Sequence, residues 1–85
     1  MNHDHVTAVL NALGDREVRG SPLRKLLAAN GTVIRLIAFY LLMDKMVEAG
    51  LVTERRDYVV VDDAVVEANF YTATEKGRQL IEGAP

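Results

Sequence analysis

The spacing of apolar residues changes abruptly at Gly50, and this change limits what the chain can fold into. Before Gly50, apolar residues recur at helical intervals over residues 33–49. The main stripe of that predicted helix consists of Leu36, Phe39, Leu42, Met43 and Met46. After Gly50, residues 51–61 and 65–73 are rich in residue types that favour strands. A helix followed directly by a hairpin predicts an α+β domain in which the hairpin folds back onto the helical part and covers its apolar surface.

A first helix is predicted over residues 4–13. Its apolar residues fall at i, i+3, i+4 and i+7 on one helix face. They are Val6, Val9, Leu10 and Leu13. Asp4 is the predicted N-cap, and Gly14 is the predicted stop. Residues 17–19 then offer a minimal strand before the next helix.

The second helix is predicted over residues 22–29. Ser21 suits the N-cap, and Pro22 suits the first helical position, where its missing N–H is not needed. Residues 30–32 form a short connection, in which Thr32 is the predicted cap of the third helix. Two helices joined by so short a connection are typical of a helix-turn-helix.

The hairpin and the end of the chain complete the prediction. The turn is predicted at residues 62–64 and a short C-terminal helix at residues 75–82, capped by Thr74, with residues 83–85 as a frayed end. The whole chain, residues 1–85, is therefore predicted to be one domain with three core helices and an antiparallel hairpin. The sheet has two strands, or three if residues 17–19 join it.

Two stretches of this sequence resemble a known family. Phe39 to Val52 is similar to the third helix and following strand of PadR-type winged-helix regulators, where the run reads roughly L-Y-x-L-L-x-x-L-E-x-x-G-L-V. Asn69 to Arg78 is similar to the second wing strand and helix start of that family, R-x-Y-Y-x-L-T-E-K-G-R. MarR-type regulators share both signatures more loosely. The resemblance implies a winged helix-turn-helix fold.

The resemblance also implies sequence-specific binding to double-stranded DNA by a small bacterial or phage transcriptional regulator, acting as a homodimer. The third helix would enter the major groove, and the wing would touch the adjacent backbone. The residues expected to reach the groove are Thr32, Arg35, Tyr40 and Lys45. Those expected to hold phosphates are Arg24, Lys25, Arg55 and Arg56. For Arg55 and Arg56 an alternative is a solvated edge balanced by Glu54 and Asp57.

Charge and hydropathy keep a second function open. The net charge is −2, without the basic excess typical of nucleic-acid binders, and the predicted wing tip, Asp62-Asp63, is acidic. The outward face of the third helix is predicted to carry Ile34, Ile37 and Leu41. The first helix could cover them, or they could form a homodimer interface or bind another protein. The alternative function is thus a winged-helix interaction or dimerisation module without sequence-specific DNA binding.

No other chemistry is predicted. Cys is absent, so there is no disulfide or thiolate zinc site, and no nucleophile or phosphate-loop motif is present; neither catalysis nor a cofactor is expected. His3 and His5 are interpreted as part of a polar terminus rather than a metal site. The longest apolar stretch, Leu36 to Met43, falls short of the roughly 20 residues that span a bilayer. With no signal-peptide pattern at the start, a cytoplasmic location is expected.

Overall fold

The computed structural model describes residues 1–82, and over these residues it contains four helices and a three-stranded antiparallel sheet. In chain order the elements are α1 (His3–Leu13), β1 (Val18–Arg19), α2 (Gly20–Ala29), α3 (Leu36–Glu48), β2 (Val52–Val61), β3 (Ala64–Ala73) and α4 (Glu75–Glu82). The predicted α+β class and element order are confirmed. The frayed end predicted at residues 83–85 lies outside the described residues.

The sheet has the strand order β1-β3-β2. β1 pairs with β3 through Val18 opposite Tyr71. The minimal strand predicted at residues 17–19 therefore exists and makes the sheet three-stranded. β1 is only two residues long, whereas β2 and β3 each have ten, so most of the hairpin extends beyond the helices as a wing. The molecule is correspondingly elongated, with principal extents of 48 × 24 × 19 Å.

The wing turns through Asp62 and Asp63 alone, because Val61 already pairs with Ala64. Both aspartates have positive φ, at 50° and 63°. A two-residue hairpin with positive φ at both positions has the geometry of a type I′ turn, which matches the right-handed twist of the strands. Asp tolerates this conformation better than most residues because of its short polar side chain. The predicted turn at residues 62–64 is thus one residue too long.

The core lies between the helices and the base of the sheet. Its buried apolar residues are Val6, Val9, Leu10, Ala12, Leu13, Leu23, Leu27, Ile34, Phe39, Leu42, Met43, Met46, Leu51, Val52, Tyr71 and Ala73. Tyr71 of β3 and Phe39 of α3 are the largest of the fully buried side chains. Gly50, at φ 75°, lets the chain reverse from α3 into β2. At the same end of the hairpin, after its second strand, the backbone N–H of Gly77 donates to Thr74 Oγ1 at 3.0 Å, so Thr74 caps α4 as predicted.

The predicted N-cap of α1 is wrong by two residues. Asn2, not Asp4, is the cap, and its side-chain oxygen accepts a hydrogen bond of 3.2 Å from the backbone N–H of His5. Asp4 lies in the first helical turn, where a carboxylate still interacts favourably with the helix dipole. Both residues are short and polar and stand two positions apart, so sequence pattern alone does not separate them.

The predicted N-cap of α2 is also wrong. Arg19, the last residue of β1, is in the N-cap position without a side-chain hydrogen bond, and the helix begins at Gly20. Ser21 is therefore inside the first turn, and Pro22 occupies the third helical position instead of the first. This placement is tolerated because the backbone N–H groups of the first turn have no partner within the helix. Arg19 pairs with Phe70 in the sheet, and the helix starts directly after this strand residue, at Gly20 instead of the predicted residue 22.

The start of α3 differs most from the prediction. The helix begins at Leu36 rather than residue 33, and its N-cap is Arg35 in an extended conformation, not Thr32. Ile34 is buried in the core at 6% exposure, and its carbonyl oxygen accepts a hydrogen bond from Arg24. Because this hydrogen bond holds the backbone at Ile34, the segment before Leu36 does not join the helix. Leu36, predicted to lie in the core stripe, is instead 54% exposed.

No helix within residues 1–82 has the length and apolar character needed to cross a membrane.

Candidate nucleic-acid interface

The exposed face of α3 presents a line of three residues. Ile37, Leu41 and Lys45 follow one another at intervals of four, which places them on the same side of the helix. Ile37 is 75% exposed, and Leu41 is also exposed. Arg35, at the N-cap, is exposed at the start of the same helix. This face therefore combines an apolar centre with a cation at each end.

The prediction that Ile34 shares this outward face is wrong. Ile34 precedes α3 and packs in the core, so it is unable to contact a partner in this conformation. Of the three explanations considered for the apolar residues, burial within the monomer applies to Ile34 alone. Ile37 and Leu41 stay exposed, although Leu41 borders a shallow cleft with Met1 and His5 at the start of α1.

Arg24 and Lys25 are adjacent in α2 but differ in what they contact. The Nε of Arg24 donates a hydrogen bond of 2.8 Å to the carbonyl oxygen of Ile34, so this side chain ties α2 to the segment before α3. Lys25 is exposed and forms no ion pair with any residue between 1 and 82. Lys25 is therefore available to a ligand, whereas Arg24 sets the geometry of the helix-turn-helix.

A cleft of about 380 Å³ separates the beginning of α2 from the wing. Lys25 and Tyr40 line it on the helical side, together with Arg19, and Val59 and Val66 line it on the wing side. The Tyr40 ring is half-buried and packs edge-on against Phe39, with ring centroids 5.0 Å apart. Gly20 leaves room for the Tyr40 hydroxyl, because a Cβ at position 20 would lie only 2.8 Å from Tyr40 Oη. Tyr40 thus faces the cleft and not the line formed by Ile37, Leu41 and Lys45.

Arg55 is occupied by carboxylates. Its guanidinium contacts Glu17 through two bonds, at 2.7 and 3.1 Å, and Asp57 at 2.7 Å, and it lies 4.5 Å from the centroid of the Phe70 ring. Arg56 is 3.3 Å from Glu54 and 4.0 Å from a carboxylate oxygen of Glu67 on the neighbouring strand. A phosphate at either arginine would compete with these carboxylates, more strongly at Arg55 than at Arg56, whose side chain is 68% exposed.

The same contacts perturb the titration of the carboxylates. The hydrogen bonds from Arg55 hold the pKa of Glu17 below its usual value. The pKa of Asp57 is lowered first by the backbone N–H of Tyr58 and then by Arg55. Both carboxylates are exposed, and their partner Arg55 stays charged because they raise its pKa further. The cluster therefore remains ionised at neutral pH and neutralises much of the positive charge at the base of the wing.

The six basic residues of the predicted site consequently fall into two groups. Arg24, Arg55 and Arg56 are engaged with other protein groups. Lys25, Arg35 and Lys45 are exposed and have no acidic partner in the described part of the chain. Thr32 is partly buried in the turn before α3, where its backbone N–H donates to Leu27 O.

Two residues of this region were not predicted from the sequence. Arg19 lines the cleft beside Lys25, and its position at the end of a short strand, directly before a helix start, was the available signal. Glu17 pairs with Arg55 across 38 positions in the chain. No local pattern reports a pairing of that separation. The described residues hold no cluster of three or more His, Asp or Glu side chains arranged to bind a metal ion.

Comparison with solved structures identifies the fold. No protein-family model matches the sequence, and no curated protein does either. The structure of Bacillus subtilis PadR in complex with operator DNA superimposes with a TM-score of 0.81 at 19% identity, covering 98% of this chain and 46% of that protein. A PadR-family transcriptional regulator from Eggerthella lenta gives 0.75 at 25% identity, covering 93% of this chain and 66% of that one. A PadR-family regulator from Clostridium difficile gives 0.74 at 14% identity, with 92% and 80% covered.

The match extends over nearly the whole of this chain, but this chain spans only about half the length of the Bacillus subtilis protein. The shared part includes all three core helices, the wing and α4, because the described elements occupy the covered region. The chain therefore has the winged helix-turn-helix fold of PadR-family transcriptional regulators.

Proposed function

We propose that this protein binds double-stranded DNA and regulates transcription. The observation that carries the proposal is the superposition of 98% of the chain on a PadR structure that is bound to operator DNA. In helix-turn-helix proteins the second helix of the motif enters the major groove and the first crosses the backbone. By this analogy α3 is the recognition helix and α2 the supporting helix.

The exposed cations support this orientation. Lys25 on α2 is suited to a phosphate contact, while Arg35 and Lys45 stand at the two ends of the exposed face of α3. Tyr40 and Arg19 line the cleft beside the wing, where a backbone strand could lie. We expect Arg55 and Arg56 to contribute less than the sequence predicts, because they are already paired with carboxylates.

The composition of the face also indicates what kind of contact it makes. Ile37 and Leu41 offer no hydrogen bonds to base edges, but aliphatic side chains can contact the methyl group of thymine. With few cations, the electrostatic part of the affinity should be modest. We further propose that two copies act together on half-sites about one helical turn apart, in the cytoplasm, without catalysis or a cofactor.

Salt-dependent binding tests this proposal. Fluorescence anisotropy with a duplex from the protein's own upstream region should show binding at low salt and a linear fall of log K with log salt. Lys25→Ala should weaken binding across sequences and reduce the slope by about 1. Lys76→Ala is the matched control, because it removes the same charge from α4, where Nζ donates to the carbonyl oxygen of Ala49 just beyond the C-terminal end of α3 and Lys76 is not on the exposed face of that helix. Absence of binding at low salt, or equal effects of the two variants, would overturn the proposal.

A second function has one observation in its favour. Ile37 and Leu41 remain exposed on α3. Exposed apolar residues at this position are what the sequence predicts for the alternative function, an interaction module that does not bind DNA. Such a module would show no duplex binding at low salt but would lose its protein contact on Ile37→Asp. The same anisotropy measurement therefore distinguishes the two functions.

A further inference from the structure

The first two turns of α3 carry almost no side chain that can form a hydrogen bond. Residues 36–43 have the sequence LIAFYLLM, in which Tyr40 is the only polar residue. The Tyr40 ring is half-buried and lines the cleft beside the wing instead of the outward face of the helix. The exposed side chains of these two turns are therefore all aliphatic, and they belong to Leu36, Ile37, Ala38 and Leu41.

The outward side of α3 changes character beyond Leu41. At intervals of three or four residues this side carries Ile37, Leu41, Asp44 and Glu48. The two carboxylates are exposed, and Lys45 is the only basic residue within residues 36–48. The carboxylates would repel the phosphates that border a DNA groove. The apolar first half of α3 is therefore better suited to close contact with DNA than the second half.

The nearest unpaired cations lie at the same end of the helix. Arg35 is the N-cap residue of α3, and Lys25 borders a hollow together with Val33 and Ile34, the residues just before Arg35. Both cations are exposed and have no acidic partner among residues 1–82. Phosphates held there would bring the start of α3 towards the bases. Helix-turn-helix proteins contact base edges with this same end of the recognition helix.

An aliphatic face can read only one feature of the major groove. Most positions on the base edges are hydrogen-bond donors or acceptors, but thymine also presents a methyl group at C5. Covering that methyl group removes apolar surface from water, which is favourable without any hydrogen bond. A cytosine methylated at C5 presents the same methyl group, and it differs from thymine at C4, where an amino donor replaces the carbonyl acceptor. Side chains without donors or acceptors have no group with which to distinguish the two.

We propose that the first two turns of α3 recognise the 5-methyl groups of pyrimidines and read thymine and 5-methylcytosine alike. This inference rests on the proposed function and names the feature of DNA that the site reads. Ile37 and Leu41 make the contacts. Four residues of helix rise about 6 Å, which is close to two base-pair steps of roughly 3.4 Å each. An unmethylated cytosine at either contact is a poor ligand, so methylation of that cytosine raises the affinity.

Replacing thymine by deoxyuridine tests the inference, because deoxyuridine pairs in the same way and lacks only the methyl group. Fluorescence anisotropy compares the duplex from the protein's own upstream region with the same duplex containing deoxyuridine throughout. We expect binding to weaken about fourfold for each contacted methyl group that is lost. The slope of log K against log salt should stay the same, because it reports the phosphate contacts.

A protein variant separates contact with the methyl groups from an effect of deoxyuridine on DNA shape. Ile37→Ala combined with Leu41→Ala should bind the thymine and deoxyuridine duplexes equally, because the side chains that cover the methyl groups are gone. A difference in DNA shape would persist in this variant. Leu80→Ala is the matched control, since it shortens an exposed apolar side chain of α4, and it should keep the wild-type difference. All three positions are exposed, and circular dichroism checks that the variants are folded.

Substitution of single base pairs tests whether thymine and 5-methylcytosine are equivalent. Deoxyuridine placed at one thymine at a time identifies the positions whose methyl group is contacted. At such a position, replacing the pair of thymine and adenine by cytosine and guanine should weaken binding as deoxyuridine does. Methylating that cytosine at C5 should return the affinity to near its original value.

Equal affinities for the thymine and deoxyuridine duplexes, with the salt dependence retained, would overturn the inference and leave the proposed function standing. A difference that persists in the double alanine variant would also overturn it, and so would a 5-methylcytosine that binds no better than cytosine. Absence of binding to both duplexes at low salt would overturn the proposed function and this inference together.

Discussion

The Nε of Arg24 donates a 2.8 Å hydrogen bond to the carbonyl oxygen of Ile34, joining α2 to the segment that leads into α3. The bond crosses the turn of the helix-turn-helix and fixes where α3 begins. It also satisfies a backbone carbonyl next to a buried side chain, which would otherwise lose its contact with water. The angle at which α3 is presented therefore depends on a side chain of the preceding helix.

Replacing Arg24 should destabilise the domain. We expect Arg24→Ala to lower the free energy of unfolding by about 1.5–3 kcal/mol, towards the lower end because the side chain is only partly buried. Lys25→Ala removes a neighbouring exposed cation and should change stability by less than about 0.5 kcal/mol. Urea unfolding followed by circular dichroism measures both. Equal stabilities of the two variants would show that the Arg24 contact does not hold the turn.

A side chain at Gly77 should be harmful although Gly77 is helical. Ala is favoured over Gly within a helix by about 1 kcal/mol, but a Cβ at this position would overlap the carbonyl oxygen of Leu51 and crowd Leu10. The backbone of Leu51 has little freedom to move, so the clash outweighs the propensity. We expect Gly77→Ala to lower the free energy of unfolding by a net of about 1–3 kcal/mol, as substitutions that overpack a site do.

The control for Gly77 is Gln79→Ala on the exposed side of α4. It should be neutral or slightly stabilising in the same thermal unfolding experiment. A Gly77→Ala protein that melts above the wild type would mean that α4 does not pack this closely against the start of β2.

Stability should fall in alkaline solution because of Tyr71. Burial raises the pKa of Tyr71 above its ordinary value of 10.0. The folded state therefore keeps the phenol proton at a pH where the unfolded state releases it. The contribution of Tyr71 to stability is complete below pH 10 and is lost as the pH rises above it.

Tyr71→Phe should remove this part of the alkaline loss. Its cost at neutral pH should be small, because the hydrogen bond that the hydroxyl accepts from Asn69 Nδ2 is long, at 3.5 Å. Tyr58→Phe, at an exposed position of the wing, should follow the wild-type curve. Denaturant unfolding at pH values from 8 to about 11, which brackets the ordinary pKa of tyrosine, provides the comparison. Identical pH dependence in all three proteins would contradict a buried, neutral phenol.

The acidic wing tip should oppose DNA binding. Asp62→Asn together with Asp63→Asn removes two negative charges, and Asn tolerates the left-handed backbone of this turn as Asp does. We expect affinity for duplex DNA at low salt to rise on the order of threefold and the gain to shrink as salt screens the charges. Glu82→Gln on α4 is the control and should leave affinity unchanged. A loss of affinity in the double variant would mean that the tip makes a favourable contact.

Local sequence signals predict most of this fold. Gly50 marks the switch from helix to strand because only a residue that accepts positive φ reverses the chain there without strain. Thr74 marks the start of α4 because a hydroxyl can accept the first free N–H of the helix. Such signals depend only on residues that are neighbours in the sequence, so they can be recognised without a structure.

The start of α3 could not be predicted in this way. Ile34 continues the helical spacing of apolar residues, so the pattern includes it in the helix, yet its carbonyl is bound by Arg24, ten residues away. Which cations of the candidate site are free to bind a ligand could not be predicted for the same reason. Arg55 looks like a phosphate ligand until Glu17, 38 residues distant in the sequence, is found beside it. Contacts between distant segments decide which cations are available, and no local pattern contains them.

The exposed face of α3 is the part of the molecule that we propose contacts duplex DNA. Amide chemical shifts of the labelled protein, followed during titration with a duplex from its own upstream region, test that claim residue by residue. The largest changes should occur at Arg35, Ile37, Leu41 and Lys45, with smaller ones at Lys25 and the cleft, and little change in α4. Shifts confined to the wing or to α4, or none at low salt, would contradict the account.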